Sequence, residues 1–514
     1  MTKTYYLTTP IYYVNGKPHI GHAYTSILCD TFARFHRMLG ENVFYITGTD
    51  EHGIKVQKAA LEQGKEPKAF VDAIVPEFKK LWQVLGIQYD YFIRTTDDDH
   101  KTVVQKVLSD LEKKGDIYKA SYKGWYCTPC ESFWTALQLK DGKCPDCNRG
   151  VDQIEEENYF FKMSAYQPWL INYIQKHPDF IQPEYRKNEV LGFLKEPLED
   201  LCITRPKTRL TWGIEYPGSK DHVVYVWFDA LLNYLSGAGY LLDDKEFNSL
   251  WPADLHLMAK DILRQHAIFW PIMLKAMGVE MPKLVFAHGW WRIGGAKMSK
   301  SVGNVVDPIA TVQKYGSDVL RYFLLNEVTL GLDGTYSEEL LVERYSSDLA
   351  NGLGNLWHRV ASMIEKYFDG KTQKINDQSL INDPLMQETF VLWSTVERHM
   401  LNYKPREALG AIWSVVTQAN QFVEETKPWS VAKDSSRKEE LAQILAVLSE
   451  CVAHIAVLLL PFLPNTAKNI LDRLHLPSDW KIPRVYEYAK SFLEAGISIE
   501  KGEPLFPRLD EKTS

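Results

Sequence analysis

The chain has 514 residues, enough for about three or four domains of ordinary size. Its 59 basic and 66 acidic side chains give a formal net charge of −7, which argues against a protein that coats nucleic acid through bulk positive charge, although a local basic patch would not show in this sum. With 45% hydrophobic and 24% charged residues, the composition is that of a globular protein, which excludes a disordered or collagen-like chain.

No targeting or membrane-spanning segment is evident in the sequence. Residues 1–20 lack the basic and then apolar pattern of a secretory signal. The most apolar stretch, 441–463, is interrupted by polar residues that include Glu450 and His454. We therefore expect a cytoplasmic protein that does not act at a membrane, in a reducing compartment where cysteines bind metal more often than they form disulfides.

The first 50 residues have the pattern of a strand, a helix and a second strand. Residues 3–9 are typical of a strand, the apolar residues of 28–39 recur at helical spacing before Gly40, and 42–48 predict another strand. A strand–helix–strand unit predicts a parallel sheet with a right-handed crossover. Ligands of such sheets bind at the carboxyl ends of the strands, where the 10–22 loop and Asp50 fall.

Later segments divide the rest of the chain. Residues 117 to about 215 carry a cysteine cluster and little helical period, which indicates an inserted module. A predicted strand over 222–227, a helix after Asp229, a helix over 260–277 and a strand over 283–288 then resume the alternation. The final part predicts packed amphipathic helices over 347–367, 385–402, 405–427 and 438–460.

Four of the seven cysteines form two CxxC turns, Cys127 with Cys130 and Cys144 with Cys147. Each turn places two thiolates together, and two such turns make a tetrahedral cage for zinc. Paired disulfides are the alternative, which we weight at about one in ten for a reducing compartment. Four protein ligands leave no open position, so this Zn²⁺ would be structural. The remaining cysteines are isolated and are expected to be buried: Cys29, Cys202 and Cys451.

The sequence His19-Ile-Gly-His22 lies between the first predicted strand and the first predicted helix. A helix N-terminus offers free backbone N–H groups and partial positive charge, which suit a phosphate, and Gly21 permits close approach of the backbone. Taken alone, this short pattern is equally typical of surface histidines.

The sequence Lys297-Met298-Ser299-Lys300-Ser301 follows a pair of glycines. A loop of this kind suits a mobile polyphosphate clamp, because lysine is a flexible point charge. Taken alone, it is equally typical of a solvated basic loop.

Together the two motifs resemble the HIGH and KMSKS signatures of class I aminoacyl-tRNA synthetases, and both stand here without a mismatch and in the family's order. The resemblance implies that an amino acid attacks the α-phosphate of ATP, releasing pyrophosphate, and that the acyl group then passes to the terminal ribose of tRNA. Catalysis of this kind needs positioning and charge stabilisation rather than a protein nucleophile.

The same resemblance implies roles for individual residues. His19 and His22 would stabilise the pentavalent phosphate, and Lys297 and Lys300 would hold the β- and γ-phosphates; Mg²⁺ would accompany the ATP. The ATP-binding residues implied in all are His19, Gly21, His22, Lys297, Met298, Ser299 and Lys300.

The insert is too small for the editing domains of the leucine, isoleucine and valine members, and its cysteine pattern resembles the methionine-specific branch of the family. Further stretches that resemble this branch are 9–15, 49–53, 226–230 and 260–262 with His266. The resemblance runs from residue 4 to about residue 508. It implies ligation of methionine to tRNA(Met) with ATP, for both initiation and elongation.

By this resemblance Asp50 would bind the α-ammonium of methionine. The side chain would be enclosed by Ile11, Tyr13, Trp227, Ala230, Tyr234, Ile262 and His266. A polarizable thioether packs well against aromatic edges, and Tyr13 or His266 would hydrogen-bond weakly to its sulfur. Plain core packing is the alternative for Trp227 and Tyr234, but their position after a predicted strand of the same sheet favours the pocket.

The helical C-terminal part is expected to read the anticodon. Asn355 and Arg359 are spaced to share one helix face, and Trp429 stands at a predicted helix end, where an indole can stack on a splayed base. These three residues resemble the family's anticodon-binding triad. Without the resemblance, they would be assigned to a surface charge and a core side chain.

The predicted fold class is α/β, with a split Rossmann-type parallel-sheet catalytic domain, a zinc-binding insert and an all-α helical-bundle anticodon-binding domain. The expected boundaries are 1–116 and 216–295 for the catalytic halves, 117–215 for the insert, 296–345 for the KMSKS loop and stem-contact segment, 346–490 for the bundle and 491–514 for a tail. No strand-rich segment follows residue 508, where other members carry a dimerising domain, so we expect a monomer.

Three other functions compete with this one. A cysteine-specific class I synthetase would place zinc in its amino-acid pocket, whereas the four clustered cysteines here satisfy one another. A small-molecule nucleotidylyltransferase shares a His-x-Gly-His loop but would not need the C-terminal helices. A non-catalytic tRNA-binding relative would have lost a signature histidine or Lys300, and neither is lost.

Overall fold

The computed structural model describes residues 4–128, 132–134, 136, 138–145, 147–293, 296–297, 306–373, 377–481 and 491–509. The chain forms two compact units. The first, called here the sheet unit, contains residues 1–18, 43–82 and 88–288. The second, called the helical unit, contains residues 19–42, 83–87 and 289–514.

The strands of the described residues are given in chain order. They are β1 Tyr5–Thr8, β2 Tyr12–Tyr13, β3 Val43–Asp50, β4 Tyr91–Arg94, β5 Ile117–Cys127, β6 Ser132–Trp134, β7 Asp152–Phe161, β8 Ile181–Gln182, β9 Leu201–Cys202, β10 Thr204–Pro206, β11 His222–Val224, β12 Leu255–Ala259, β13 Val285–His288, β14 Trp291–Ile293, β15 Ala296–Lys297 and β16 Gly334–Thr335.

The α-helices of the same residues follow in chain order. They are α1 Ile20–Met38, α2 Ile54–Glu62, α3 Pro67–Leu85, α4 Asp98–Lys114, α5 Gln167–Lys176, α6 Glu184–Phe193, α7 Val226–Leu231, α8 Asn233–Ser236, α9 Asp244–Leu250, α10 Trp270–Met277, α11 Pro308–Tyr315, α12 Ser317–Asn326, α13 Glu338–Arg344, α14 Asn355–Phe368, α15 Asp377–Asn382, α16 Pro384–Leu401, α17 Pro405–Thr426, α18 Pro428–Val431, α19 Lys438–Leu459 and α20 Pro464–Arg473.

A parallel sheet organises the sheet unit. Its strand order is β2-β3-β1-β12-β13-β8, with β4 also paired to β3, and every pair is parallel. The central strands are almost wholly buried, as expected of a parallel sheet covered on both faces. The parallel sheet predicted from the first 50 residues is therefore confirmed.

The segment predicted as an insert contains a second, antiparallel sheet of order β6-β5-β7-β9. The long pair β5–β7 runs from Ile117 opposite Phe161 to Tyr126 opposite Asp152. One part of the segment does not belong to a separate module, because β8 pairs with β13 and so extends the parallel sheet.

The strand predicted over 222–227 is wrong in two respects. It ends at Val224, and β11 pairs antiparallel with β10 instead of joining the parallel sheet. Tyr225 is the N-cap of α7, so Val226 and Trp227 are helical. A short apolar run bounded by polar residues has no periodicity that separates a strand from a buried helix.

The helix predicted over 260–277 is helical throughout that range, but its winding changes along the way. Residues Lys260–Ile262 form a 3₁₀ turn, Gln265–Phe269 a π turn, and α10 begins at Trp270. Pro271 lies in the first turn of α10, where its missing N–H is tolerated best.

Long amphipathic helices make up most of the helical unit, as predicted. The four predicted segments correspond to a π turn Tyr345–Gly354 that continues into α14, and to α16, α17 and α19. The segment Ser435–Leu459 is long and apolar enough to cross a membrane, but 83% of its apolar window is buried inside the structure. It is therefore the core helix of the bundle in this structure.

A buried ion pair fixes α1 within the helical unit. Arg321 on α12 donates to Asp30 on α1 at 2.7 Å, and both side chains are fully buried. The same guanidinium donates to the carbonyls of Phe462 and Pro461 at 2.8 and 2.9 Å. A buried charge needs such full pairing, so α1, α12 and the turn after α19 are held in one arrangement.

Candidate functional site

The carboxyl edge of the parallel sheet collects polar side chains. Strand β3 ends at Asp50, a residue that is 7% exposed. Its neighbour β1 ends at Thr8, and β12, on the other side of β1, ends at Ala259. Tyr13 on β2 lies opposite Asp50, and the N–H of Val14 donates to the Asp50 carbonyl at 3.2 Å. The structure thus brings Tyr13 and Asp50 together at the edge where parallel sheets bind ligands.

The residue after Asp50 anchors this edge. Glu51 is fully buried, and Arg94 at the end of β4 donates to both of its carboxylate oxygens at 2.6 and 2.9 Å. The hydroxyls of Thr49 and Thr96 donate to the same carboxylate at 2.7 and 2.6 Å. Bidentate Arg–carboxylate pairs are strong and geometrically specific, so the backbone beside Asp50 is held in place.

A third buried carboxylate, that of Asp229, lies in the same unit. Asp229 on α7 accepts from His52 Nδ1 at 2.7 Å and from His100 Nε2 at 2.7 Å. Burial alone would raise the pKa of the Asp229 carboxyl, but the two imidazoles more than offset burial and hold its pKa below the usual range. Asp229 is therefore an anion in a fully buried position.

Tyr234 and His266, both predicted pocket residues, are joined directly. His266 Nδ1 lies 2.8 Å from the Ile262 carbonyl, which can only accept, so Nδ1 carries the proton. His266 Nε2 is then the acceptor for the Tyr234 hydroxyl at 2.7 Å. Burial lowers the pKa of His266 to about 4, although the carbonyl of Ile262 raises it slightly. This imidazole is neutral and has one tautomer.

These two hydrogen bonds rule out His266 as a donor to the sulfur of a ligand. Both ring nitrogens of His266 are committed within the protein, so His266 has no N–H to offer to a ligand sulfur in this arrangement. The expected hydrogen bond to the ligand sulfur therefore stays a prediction for Tyr13 and is withdrawn for His266.

The other predicted pocket residues are buried to different degrees. Trp227 is half-buried and lies edge-on to His266, with ring centroids 6.4 Å apart. Ala230 is buried on α7, while Ile11 and Ile262 are half-buried and pack against the core of the sheet unit. Half-buried apolar side chains are the kind that line an apolar ligand pocket.

Sequence reasoning missed the residues that support Tyr234. Its ring lies 4.3 Å from that of His256 and 5.7 Å from that of Trp270, and its carbonyl accepts from the Tyr6 hydroxyl at 2.8 Å. Trp270 donates to His256 Nε2 at 3.3 Å, so His256 donates through Nδ1 to Thr8. Burial, and secondarily His266, lower the pKa of His256 well below its ordinary value.

In the helical unit, His19 is the N-cap of α1 and forms a capping box with His22. His19 Nδ1 accepts from the N–H of Gly21 at 3.1 Å, and His22 Nδ1 accepts from the N–H of His19 at 3.1 Å. The two rings stack with centroids 3.8 Å apart. Because each Nδ1 is an acceptor, each neutral ring carries its proton on Nε2 and can donate from there.

Gly21 has a definite steric role in this arrangement. A Cβ added at this position would lie 2.9 Å from Cε1 of His19. A side chain there would displace the ring of His19, so the glycine allows this close approach of the imidazole to the backbone.

The second signature is only partly described. Lys297 lies on β15, where its backbone pairs with Arg292 on β14. The predicted residues Met298, Ser299 and Lys300 lie outside the described residues.

Three of the four clustered cysteines converge. The Sγ atoms of Cys127, Cys144 and Cys147 all lie within 4.8 Å of one another, with Cys127 and Cys147 3.5 Å apart. A tetrahedral zinc site with Zn–S bonds of about 2.3 Å spaces its sulfurs by roughly 3.8 Å, so the arrangement fits a thiolate-bound metal. Cys130 lies outside the described residues. The isolated cysteines are buried, as expected: Cys29, Cys202 and Cys451.

The predicted anticodon-binding residues form one surface in the helical unit. The Arg359 guanidinium lies 5.7 Å from the ring centroid of Trp429, which is 37% exposed. Arg359 also pairs with Glu424 at 2.7 Å. Asn355 is exposed and donates to Asn420 at 3.1 Å. Asn420 and Glu424 lie one turn apart on α17; sequence reasoning missed both, since their proximity to α14 has no local sequence signal.

Known proteins resemble this chain over nearly its full length. A family model described as tRNA synthetases class I (M) matches residues 5–154 and 149–361, and one described as the anticodon binding domain of methionyl tRNA ligase matches residues 372–514. Methionine–tRNA ligase of Caldanaerobacter subterraneus is 49% identical over 99% of this chain and 80% of its own length. The enzyme of Thermotoga maritima is 45% identical over 99% of this chain and 81% of its own length.

A solved structure agrees with these relatives. Mycobacterium tuberculosis methionyl-tRNA synthetase in complex with methionyl-adenylate has a TM-score of 0.91 at 40% identity, covering 99% of this chain and 100% of its own. These matches answer the choice between methionine and cysteine that the sequence motifs left open. The chain therefore belongs to the methionyl-tRNA synthetases, the class I aminoacyl-tRNA ligases that use ATP to join methionine to tRNA.

Proposed function

We propose that methionine is activated at the carboxyl edge of the parallel sheet, with Asp50 as the partner of its ammonium. Two observations in the sheet unit carry this proposal. Asp50 is a buried carboxylate at the carboxyl end of β3. His266, in the helical segment that follows the carboxyl end of β12, forms a neutral pair with Tyr234 on α8. A carboxylate binds the ammonium by charge, while the neutral rings accept an apolar side chain without desolvating an ion.

The apolar side chain of methionine would lie among Trp227, Tyr234 and His266, with Ile11, Ala230 and Ile262 completing the wall. An apolar pocket discriminates by only ~1–3 kcal/mol per methylene. A weak donor such as the hydroxyl of Tyr13 would add discrimination at the sulfur, because the thioether is a weak acceptor.

In the first step a carboxylate oxygen of methionine attacks the α-phosphorus of ATP, the bond to the β-phosphate breaks, and pyrophosphate leaves. His19 and His22 are proposed to donate their Nε2–H groups to the phosphate as charge develops in the pentavalent state. The tautomers fixed by Gly21 and His19 support this role, since donors already oriented need no reorganisation during the reaction.

Lys297 and Lys300 would hold the β- and γ-phosphates, with Met298 and Ser299 in the same loop, as the family resemblance implies. Mg²⁺ would accompany the ATP as a charge-neutralising ion. In the second step a ribose hydroxyl of tRNA(Met) attacks the methionyl carbonyl, the mixed-anhydride bond breaks, and AMP leaves.

The cysteine cluster is proposed to hold a structural Zn²⁺ through Cys127, Cys130, Cys144 and Cys147. The convergence of the three described sulfur atoms supports this assignment. The cytoplasmic location, the monomeric state and the domain boundaries expected from the sequence stay predictions.

Amino-acid-dependent exchange of pyrophosphate into ATP tests the activation step. Exchange is expected with methionine, and at least ~10-fold less with each of the other standard amino acids, since none matches both length and polarizability in a pocket of this kind. Exchange that depends on cysteine or leucine and not on methionine would contradict the proposal.

Substitution Cys144→Ser tests the metal site. The variant is expected to lose zinc from about one ion per chain to well below half, because a serine hydroxyl is a poor substitute for a thiolate ligand. Zinc is measured by plasma mass spectrometry after gel filtration. The matched control is Cys451→Ser, which replaces a buried cysteine outside the cluster and should retain the metal; equal zinc in both variants would remove Cys144 from the site.

Substitutions Trp429→Ala and Arg359→Ala test the anticodon surface. Each is expected to weaken aminoacylation of tRNA(Met), measured as kcat/KM, by ~1–3 kcal/mol through lost stacking and charge, without changing methionine-dependent pyrophosphate exchange. Arg398→Ala, which removes an exposed arginine from α16, is the control. If all three variants charge tRNA equally well, the surface does not bind the anticodon.

A further inference from the structure

A network of buried side chains links the loop that follows Asp50 to α7, the helix that carries Trp227 and Ala230. The Asp229 network consists of Asp229 on α7, His52 after β3, His100 on α4 and Ser236 on α8. Asp229 accepts from both histidines at 2.7 Å, and His100 Nδ1 lies 2.7 Å from the Ser236 hydroxyl. All four side chains are buried, and the activity as described so far uses none of them.

The hydrogen bonds of the network fix the proton positions. A carboxylate only accepts, so His52 donates through Nδ1 and His100 through Nε2. The Ser236 hydroxyl lies 2.7 Å from His100 Nδ1 and 3.4 Å from the Asn233 carbonyl. Both histidines therefore have a defined donor atom toward Asp229, and a buried hydrogen-bond network of this kind rigidifies the elements that contribute to it.

The network joins two elements that are far apart in sequence. His52 follows Asp50 by two residues, and Asp229 stands between Trp227 and Ala230 on α7; the contact spans 177 residues. The indole of Trp212 strengthens the same loop by donating to the Glu51 carbonyl and by lying edge-on to His52, with ring centroids 5.3 Å apart.

We infer that Asp229 is a positioning residue for methionine: through His52 it holds Asp50 at a fixed place relative to Trp227 and Ala230, so that the ammonium and side-chain subsites are aligned before the substrate arrives. This inference rests on the role proposed above for Asp50. Alignment of this kind adds to affinity because no loop has to be ordered on binding.

Equilibrium binding of two ligands to the full chain separates this role from general stability. Methionine has the ammonium, and 4-(methylthio)butanoate is the same molecule without it. Asp229→Asn keeps the volume but cannot accept from both histidines in their present tautomers, so it is expected to weaken methionine binding about tenfold, the loss expected of one hydrogen bond to a charged group. Binding of 4-(methylthio)butanoate should change by less than about twofold.

Two further variants complete the design. His52→Gln removes the imidazole and should show the same selective loss, which keeps the test valid if Asp229→Asn fails to fold by circular dichroism. Asp254→Asn is the matched control, because Asp254 is a nearly buried carboxylate that accepts from the Tyr6 N–H just before β12, at the opposite edge of the sheet. It should bind both ligands like the wild type.

Each outcome has a distinct meaning. A loss confined to methionine supports the inference. Equal losses for both ligands, or no loss for either, would overturn it. A wild-type chain that fails to bind methionine would contradict the proposed pocket itself. A wild type that binds methionine, together with a variant that loses both ligands equally, would contradict only the inference about Asp229.

Discussion

Burial of polar groups at the carboxyl edge of the parallel sheet is the constraint on which the rest of the site depends. Backbone and side chains there are removed from water, so each buried donor or acceptor has to find a partner in the protein. Glu51 meets this need with Arg94, Asp229 with His52 and His100, and His266 with Ile262 and Tyr234. The polar groups of the site thereby fix one another before any substrate is present.

The same constraint gives the proposed pocket neutral side chains for the apolar part of methionine and a carboxylate for its ammonium. Burial keeps His266 uncharged, with a pKa of about 4. Burial also lowers the pKa of His256 well below its ordinary value. The carboxylate of Asp50 lies at the end of β3. In the proposed site, a zwitterion with an apolar tail would meet a complementary surface, and its affinity would not have to include the free energy of ordering that surface.

Different elements of the structure were predictable to different degrees. The parallel sheet and the long helices of the helical unit follow from patterns of apolar residues, and β1, β3 and α19 were found within a few residues of their observed ends. The predicted strand over 222–227 failed because its apolar run, from Val223 to Phe228, contains no period, so only the packing of α7 decides that it becomes helical.

The residues of the candidate site also differed in how far the sequence alone could identify them. His19, His22 and Asp50 were identifiable because short motifs mark them, and Asp229 left a weak signal as an acidic residue within an apolar run. Its partners had none, since the contact with His52 crosses 177 residues and depends on the tertiary fold. The neutral state of His266 was likewise beyond the sequence, because it results from complete burial and from the position of the Ile262 carbonyl.

The central claim is that the methionine pocket contains a neutral His266 with its proton on Nδ1, present in the free protein. Nitrogen-15 chemical shifts of the histidine rings, recorded without substrate and assigned with a His266→Gln variant, test it most directly. The account predicts a neutral ring, protonated at Nδ1, that stays neutral as the pH falls through the ordinary histidine value of 6.5 and titrates only near 4. A ring that gains its second proton near 6.5, or one that carries its single proton on Nε2, would contradict it.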